Sequence, residues 1–213
     1  AKMTLNDQPI EAYRQYYARR GDQLAIGHYT AGRFGYLAVY GGIQVPVIMG
    51  SCSTSLKYQL GGYHGRQLQA GDSLTTIRDA VDQPQFQRAT AYPYSQQDTT
   101  AIRVTPGPQY NDFSVQTRQQ LTHQTFEISQ QSDRMGARLK GQALDVTKIT
   151  EMLSEGTVLG GVQVPRDGQP IVLLADRQTT GGYPVIAVVA RVDLPKLVQL
   201  TPGQQVQFQW FDL

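Results

Sequence analysis

The sequence predicts a mainly β protein made of two barrel-like halves with few, short helices. Three observations lead there. Short apolar or alternating runs are punctuated by 21 Gly and 11 Pro. Helix-period patterning is scarce, and a repeated motif divides the chain. Many short strands joined by Gly/Pro turns are the pattern of a barrel or a sandwich.

Taken in order, residues 22–29 alternate, with Leu24, Ile26 and His28 on one face, as a half-buried strand does. His28 is therefore expected to be a satisfied core histidine. Residues 34–40 form the next candidate strand. Residues 43–49 form a third, bent or at an edge because Pro46 cannot donate to a ladder. Further short strands are expected at 73–77, 102–105, 125–129 and 137–139. Residues 170–175 and 185–189 are nearly continuous apolar runs, as strands covered on both faces are, and residues 206–210 alternate again. Asn111 or Asp112 would cap a helix running to about residue 121. Asp193 would cap another through residue 200, with Pro195 in its first turn and Thr201-Pro202-Gly203 stopping it. Residues 147–153 are a third helix candidate.

Gly41-Gly42-Ile43-Gln44-Val45-Pro46 recurs as Gly160-Gly161-Val162-Gln163-Val164-Pro165, offset by 160 − 41 = 119 residues, with one difference. A looser pair follows, Leu68-Gln69-Ala70-Gly71-Asp72-Ser73-Leu74 and Leu200-Thr201-Pro202-Gly203-Gln204-Gln205-Val206. Two signals in the same order point to duplication of one β unit, and two copies are too few for a solenoid. Residues 79–100 are polar and Gln-rich, as linkers or extended crossing segments are. The expected organisation is a first barrel-like subdomain at 1–85, a linker at 86–100 and a second subdomain at 101–213.

Composition excludes several classes. Charged residues are 17% of the 213 residues and the net charge is +2. Polarity comes from amides more than from charge, and the longest basic run is Arg19-Arg20, so a nucleic-acid surface is not expected. No apolar stretch approaches the roughly 18 residues of a membrane span, and no signal-peptide pattern is seen. The single cysteine, Cys52, permits no internal disulfide. The expected compartment is the cytoplasm. No P-loop, dinucleotide glycine pattern or nucleophile elbow is present. His28, His64 and His123 lack metal-ligand spacing, so no metal site is expected. Ala1-Lys2-Met3 is a chance likeness to a biotin-attachment site.

Three stretches carry candidate chemistry. In Ala175-Asp176-Arg177-Gln178-Thr179-Thr180-Gly181-Gly182-Tyr183-Pro184, a buried strand opens into a Gly-rich loop, where rigid scaffolds present functional groups. Gly181 and Gly182 would let a ligand approach the backbone, and Arg177 could clamp a carboxylate through paired hydrogen bonds. The alternative is an Asp176–Arg177 cluster that satisfies a tight turn, with the hydroxyls bonding local backbone. Asp133 and Arg134 are either a ligand clamp or a charge pair pinning a loop. Glu155 is either a general acid or base, if buried, or an exposed loop residue. Cys52 as a nucleophile would need a base that the sequence does not identify.

Two of these stretches, Gln131-Ser132-Asp133-Arg134-Met135-Gly136 and the run from Ala175 through Pro184, resemble signatures of the allophanate hydrolase subunit 2 family. That family is also known as the C subunit of 5-oxoprolinase, and it is similar to the carboxyltransferase A/B region of urea carboxylase. Supporting matches are Ser154-Glu155-Gly156, Gln163-Val164-Pro165, Asp167-Gly168-Gln169-Pro170, Arg103-Val104 and Pro106-Gly107-Pro108. In the first half, Gly41-Gly42-Ile43, Val45-Pro46, Met49-Gly50-Ser51 and Ser53-Thr54 also fit. The matches run from about Gly41 to the end.

The resemblance implies two cyclophilin-like β-barrel subdomains, a smaller partner subunit of related fold and, in 5-oxoprolinase, a third subunit. That complex opens 5-oxoproline to L-glutamate with ATP hydrolysis, and the ATP site would belong to the complex. In urea carboxylase the equivalent region moves a carboxyl group from biotin. Some relatives instead regulate a kinase through their partner, and fold similarity does not choose among these. Carried onto this chain, Asp176, Glu155 and Asp133 would be catalytic. Arg177, Gln178, Thr179, Thr180, Tyr183 and Arg134 would bind substrate. A Thr-Val-Gln-Asp-like stretch that usually opens family members is not found, so the first barrel is expected to lack part of its N-terminal side.

Overall fold

The structure is a computed structural model that describes residues 2–29, 31–78, 99–149 and 152–211. Two compact units divide the chain. One comprises Ala1–Ala12, Gln23–Phe34 and Ala91–Leu213, the other Tyr13–Asp22 and Gly35–Thr90. Most of the linker expected at 86–100 lies outside the described residues; its last two positions begin a barrel strand.

In the first unit, β1 (Met3–Leu5), β2 (Gln8–Ile10) and β3 (Leu24–Ile26) form an antiparallel sheet in the order β2-β1-β3. The β1–β2 turn is Asn6-Asp7, with φ of 52° and 61°. Two left-handed residues make the hairpin turn whose twist matches the strands, and Asn and Asp tolerate it. Leu24, Ile26 and His28 are all exposed rather than half-buried. Among the described residues β3 is an edge strand paired with β1 alone, so His28 is not a core histidine.

The chain continues through β4 (Thr99–Pro106), a 3-10 turn (Tyr110–Asp112), α1 (Val115–His123), β5 (Thr125–Ile128), β6 (Gly136–Lys140), β7 (Glu155–Gly156), β8 (Gly161–Gln163), β9 (Ile171–Leu173), β10 (Thr180–Gly181), β11 (Val185–Val189), α2 (Leu194–Val198) and β12 (Gln205–Trp210). Seven strands close into a barrel in the order β11-β4-β12-β5-β6-β9-β8, while β7 and β10 pair separately. Closure removes the exposed edges an open sheet would leave. The period-2 pattern fills the interior: Ile102 and Val104 of β4, Phe126 and Ile128 of β5, Leu139 of β6, and Val206 and Phe208 of β12 are all buried. Phe126 and Phe208 meet with ring centroids 5.7 Å apart. The fold is thus mainly β, with α1 and α2 as its α-helices among the described residues.

β12 pairs with β4 in parallel, from Gln205↔Thr99 to Trp210↔Val104. α1 starts later than the sequence suggests. Phe113 returns to extended backbone after the 3-10 turn, and Ser114 becomes the cap, its Oγ accepting from the Thr117 N–H at 3.1 Å. Residues 147–148 form a turn instead of a helix, because Asp145 Oδ1 accepts from both the Thr147 N–H and its hydroxyl; residues 150–151 lie outside the described residues.

Glutamine amides act as backbone clips. Gln124 Oε1 accepts from the Gln142 N–H while its Nε2 donates to the Gln142 carbonyl. Gln169 does the same for Gly141. Gln199 Oε1 accepts from the Arg33 and Phe34 N–H groups and its Nε2 donates to the Phe34 carbonyl. One carboxamide satisfies a donor and an acceptor together, which a charged side chain cannot.

Among the described residues, no strand or bridge forms at 34–40, the strands expected at 43–49 and 73–77 reduce to the bridges Ile43↔Thr76 and Ile48↔Ser51, and Ser55↔Leu60 is a further isolated bridge of the second unit. The apolar side chains of Tyr36, Leu37 and Val47 stay exposed, so no buried face holds these segments in register. An Arg66–Asp72 fork, with bonds of 2.7 and 2.8 Å, holds the 66–72 segment. Cys52 is exposed.

Candidate functional site

Three segments converge beside the barrel: the loop before β6, strand β7, and the loop that carries β10 between β9 and β11. Buried β9 delivers the third directly. Leu174 N–H donates to the Met135 carbonyl and Asp176 N–H to the Arg134 carbonyl, each at 2.9 Å, so the loop after β9 is stitched to the loop before β6. β10 then pairs with β7, Thr180 opposite Gly156 and Gly181 opposite Glu155. Thr157 adds an N–H bond to the Thr179 carbonyl at 2.9 Å and a hydroxyl bond to the Gln178 carbonyl.

Within this frame Arg134 and Asp176 face each other. Arg134 Nε lies 2.9 Å from Asp176 Oδ2, and its Nη2 donates to Oδ1 at 3.2 Å. Both are about half exposed, at 56% and 46% of their side chains, so water screens the pair. Asp133 turns back on its own loop, Oδ1 accepting from the Met135 and Gly136 N–H groups at 2.8 and 3.1 Å. Glu155 is exposed, and its Oε2 accepts from Gln109 Nε2 at 3.2 Å. Gln178, Thr179, Thr180 and Tyr183 are exposed on the same loop.

Arg177 differs from its neighbours. Its N–H anchors the turn to the Leu174 carbonyl. Its side-chain Nε is buried and has no hydrogen-bond partner among the described residues. A buried donor left unmade is costly, on the order of 1–3 kcal/mol, and Arg118 Nε is in the same state.

The chain matches the family model described as carboxyltransferase domain, subdomain A and B, over residues 1–210. It belongs to this carboxyltransferase family. It is 41% identical over 208 residues to the C subunit of 5-oxoprolinase from Haemophilus influenzae, covering 98% of this chain and 66% of that one. It is 42% identical over 204 residues to the C subunit of 5-oxoprolinase from Escherichia coli, covering 96% and 64%. The chain therefore spans just under two thirds of the length of these two relatives. The crystal structure of the Kluyveromyces lactis urea carboxylase matches with a TM-score of 0.87 and 30% identity, over 99% of this chain and 20% of that one.

In this carboxyltransferase-family chain, two glutamines that sequence reasoning did not single out as site residues buttress the site. Gln109 is buried; its Oε1 accepts from the Val185 N–H at 3.0 Å while Nε2 reaches Glu155. Gln163, also buried, donates from Nε2 to the Tyr183 carbonyl at 3.4 Å. A Cβ on Gly181 would sit 2.9 Å from that nitrogen, so the glycine leaves room for the amide. The available signal was an amide within an apolar run, Val162-Gln163-Val164, since a buried amide must find partners. Gln109 carried no comparable signal.

Proposed function

We propose that this chain is a component of an ATP-dependent 5-oxoprolinase that opens the ring amide of 5-oxoproline to L-glutamate in complex with partner subunits. The observation that carries the reading is the 41% and 42% identity to the C subunits of two 5-oxoprolinases across nearly the whole of this chain.

The reaction breaks the ring C–N bond: a water oxygen joins the carbonyl carbon, and the ring nitrogen leaves as an amine after gaining a proton. In this reading the half-buried Arg177 guanidinium holds the substrate carboxylate. Gln178, Thr179, Thr180 and Tyr183 orient the ring carbonyl or a phosphoryl oxygen, and Arg134 adds positive charge beside them. Glu155, Asp176 and Asp133 supply the carboxylates for proton transfer. Glu155 keeps Oε1 for that task while Gln109 holds Oε2.

The loop glycines Gly181 and Gly182 lead from β10 to β11 and not into a helix. They do not form the glycine-rich helix entry that cradles a triphosphate, so this reading assigns the nucleotide site to a partner subunit. The partners are a smaller subunit of related fold and a third subunit, and the compartment is the cytoplasm. Among the described residues no helix is long and apolar enough to cross a membrane.

A second reading, a biotin-dependent carboxyltransferase acting in a urea carboxylase, is supported by the 0.87 TM-score to the Kluyveromyces lactis enzyme. Co-expression with the partner subunits, followed by an assay for glutamate release from 5-oxoproline with and without ATP, separates the two. Release that requires ATP supports the first reading. ATP-dependent carboxylation of urea by the biotinylated system, without glutamate release, supports the second. Tight binding to the small partner with neither turnover would leave a regulatory role.

A further inference from the structure

Gln109 stands where the barrel wall meets the candidate site. Gly107 brings the chain against β11 so closely that a Cβ there would lie 2.3 Å from the Val185 carbonyl oxygen. Gly107 N–H donates to the Ile186 carbonyl at 3.0 Å and Gln109 N–H to the Val185 carbonyl at 3.3 Å. The β4 edge therefore continues along β11 through the start of the 3-10 turn. The Gln109 side chain, 9% exposed, then bridges two elements. Its Oε1 accepts from the Val185 N–H at 3.0 Å and its Nε2 donates to Glu155 Oε2 at 3.2 Å.

That arrangement fixes which end of the carboxamide faces Glu155. The Val185 N–H can only donate, so the carbonyl end must face the barrel and the amino end must face the carboxylate. Among the described residues, the 155–156 segment is otherwise held by its two-residue pairing with β10 and by the adjoining Thr157 bonds to the Thr179 and Gln178 carbonyls. Among the described residues, no charged side chain forms an ion pair with Glu155. The ionisable groups on the facing loop are Asp176, Arg177 and Tyr183, and Asp176 is already paired with Arg134.

We propose that Gln109 is a positioning residue: it ties the place and orientation of the Glu155 carboxylate to the barrel wall and so sets the geometry at the β7–β10 strand exit. The inference rests on the 5-oxoprolinase reading for its activity readout only. Gln109 acts through Glu155, whose Oε2 it holds.

Gln109→Glu separates this role from simple support of the fold. A carboxylate at 109 still accepts from the Val185 N–H but replaces the donor facing Glu155 with a repelling oxygen. Burying that charge lowers the melting temperature of the whole fold, so local exchange is read relative to the barrel strands. Amide hydrogen exchange at residues 155–157 and 179–181, which needs no substrate, should quicken at least tenfold relative to the barrel strands. In the assembled complex kcat for glutamate release should fall 10- to 100-fold with KM nearly unchanged. In a double-mutant cycle the Gln109→Glu loss should vanish once Glu155→Ala is present, because the two act as a unit. Unchanged exchange in Gln109→Glu, or equal losses with and without Glu155, would overturn the inference. Absence of wild-type turnover would strike the 5-oxoprolinase reading alone, since the exchange result stands without it.

Discussion

Arg103 and Asp193 lock the last helix onto the barrel through three hydrogen bonds to one carboxylate. The Arg103 N–H and Nε donate to Asp193 Oδ2 at 3.0 and 2.7 Å, and Nη2 donates to Oδ1 at 2.9 Å. Lys196 Nζ lies 2.7 Å from Oδ1. The carboxylate is fully buried while the arginine reaches solvent, at 41% exposure. The sequence marks Asp193 as a helix cap. It sits at that position, yet its side chain makes no cap bond, because the stronger donors on β4 and Lys196 occupy it.

Removing that charge should loosen the attachment of α2 to β4. Asp193→Asn is expected to cost about 2 kcal/mol, the scale of lost hydrogen bonds to a charged group. A shift of the urea midpoint without a change of slope would report it.

Acid should destabilise the protein through the same contacts. Hydrogen bonds from Arg103, then Lys196, hold the Asp193 carboxyl well below its ordinary value, and Arg66 holds Asp72 down at about 2. The side chain and N–H of Thr147 lower Asp145 as well. These carboxyls bind protons more readily when unfolded, so stability should be fully present above about pH 4. It should fall as pH drops through the lowered folded values. Stability should rise with pH between about 2 and 4 and level off above that, and Asp193→Asn should flatten the rise.

Two glycines should respond differently to alanine. At Gly107 the new Cβ meets backbone, 2.3 Å from the Val185 oxygen and 2.8 Å from the Ala187 nitrogen. β11 must shift, at a cost on the order of 2 kcal/mol. At Gly181 the nearest atom is the movable Gln163 Nε2. Gly181→Ala should leave unfolding nearly unchanged and reduce glutamate release. Comparing the two variants by thermal melts and turnover checks this.

The exposed Arg134–Asp176 pair should contribute less than about 1 kcal/mol to folding. Asp176→Asn is expected to unfold like the wild type yet lose activity in the assembled complex. A large stability loss with full activity would instead make the pair a structural pin.

The barrel was legible because its strands either alternate or run continuously apolar: the alternating or short runs expected at 102–105, 125–129, 137–139 and 206–210 and the apolar runs at 170–175 and 185–189 each coincide with a strand. The parallel pairing of β12 with β4 was not legible, because strand order leaves no mark on periodicity. β1 and β2, three residues each, are shorter than any alternation window, although Asn6-Asp7 does carry the chemistry of their turn. At the site, the loop around Asp176 announced itself by following an apolar strand. The Arg134–Asp176 fork joins residues 42 apart in sequence, and spacing could not show that they meet. Gln109 was invisible because its role depends on the Val185 N–H and Glu155, brought to it only by folding.

The most direct test of the central claim is the rate of ATP-dependent glutamate release from 5-oxoproline by the assembled complex, with Arg177 and with Arg177→Ala. Loss of a charge-assisted carboxylate clamp predicts a fall of about 10- to 100-fold in kcat/KM, with folding intact. Equal rates for the two proteins would contradict the account.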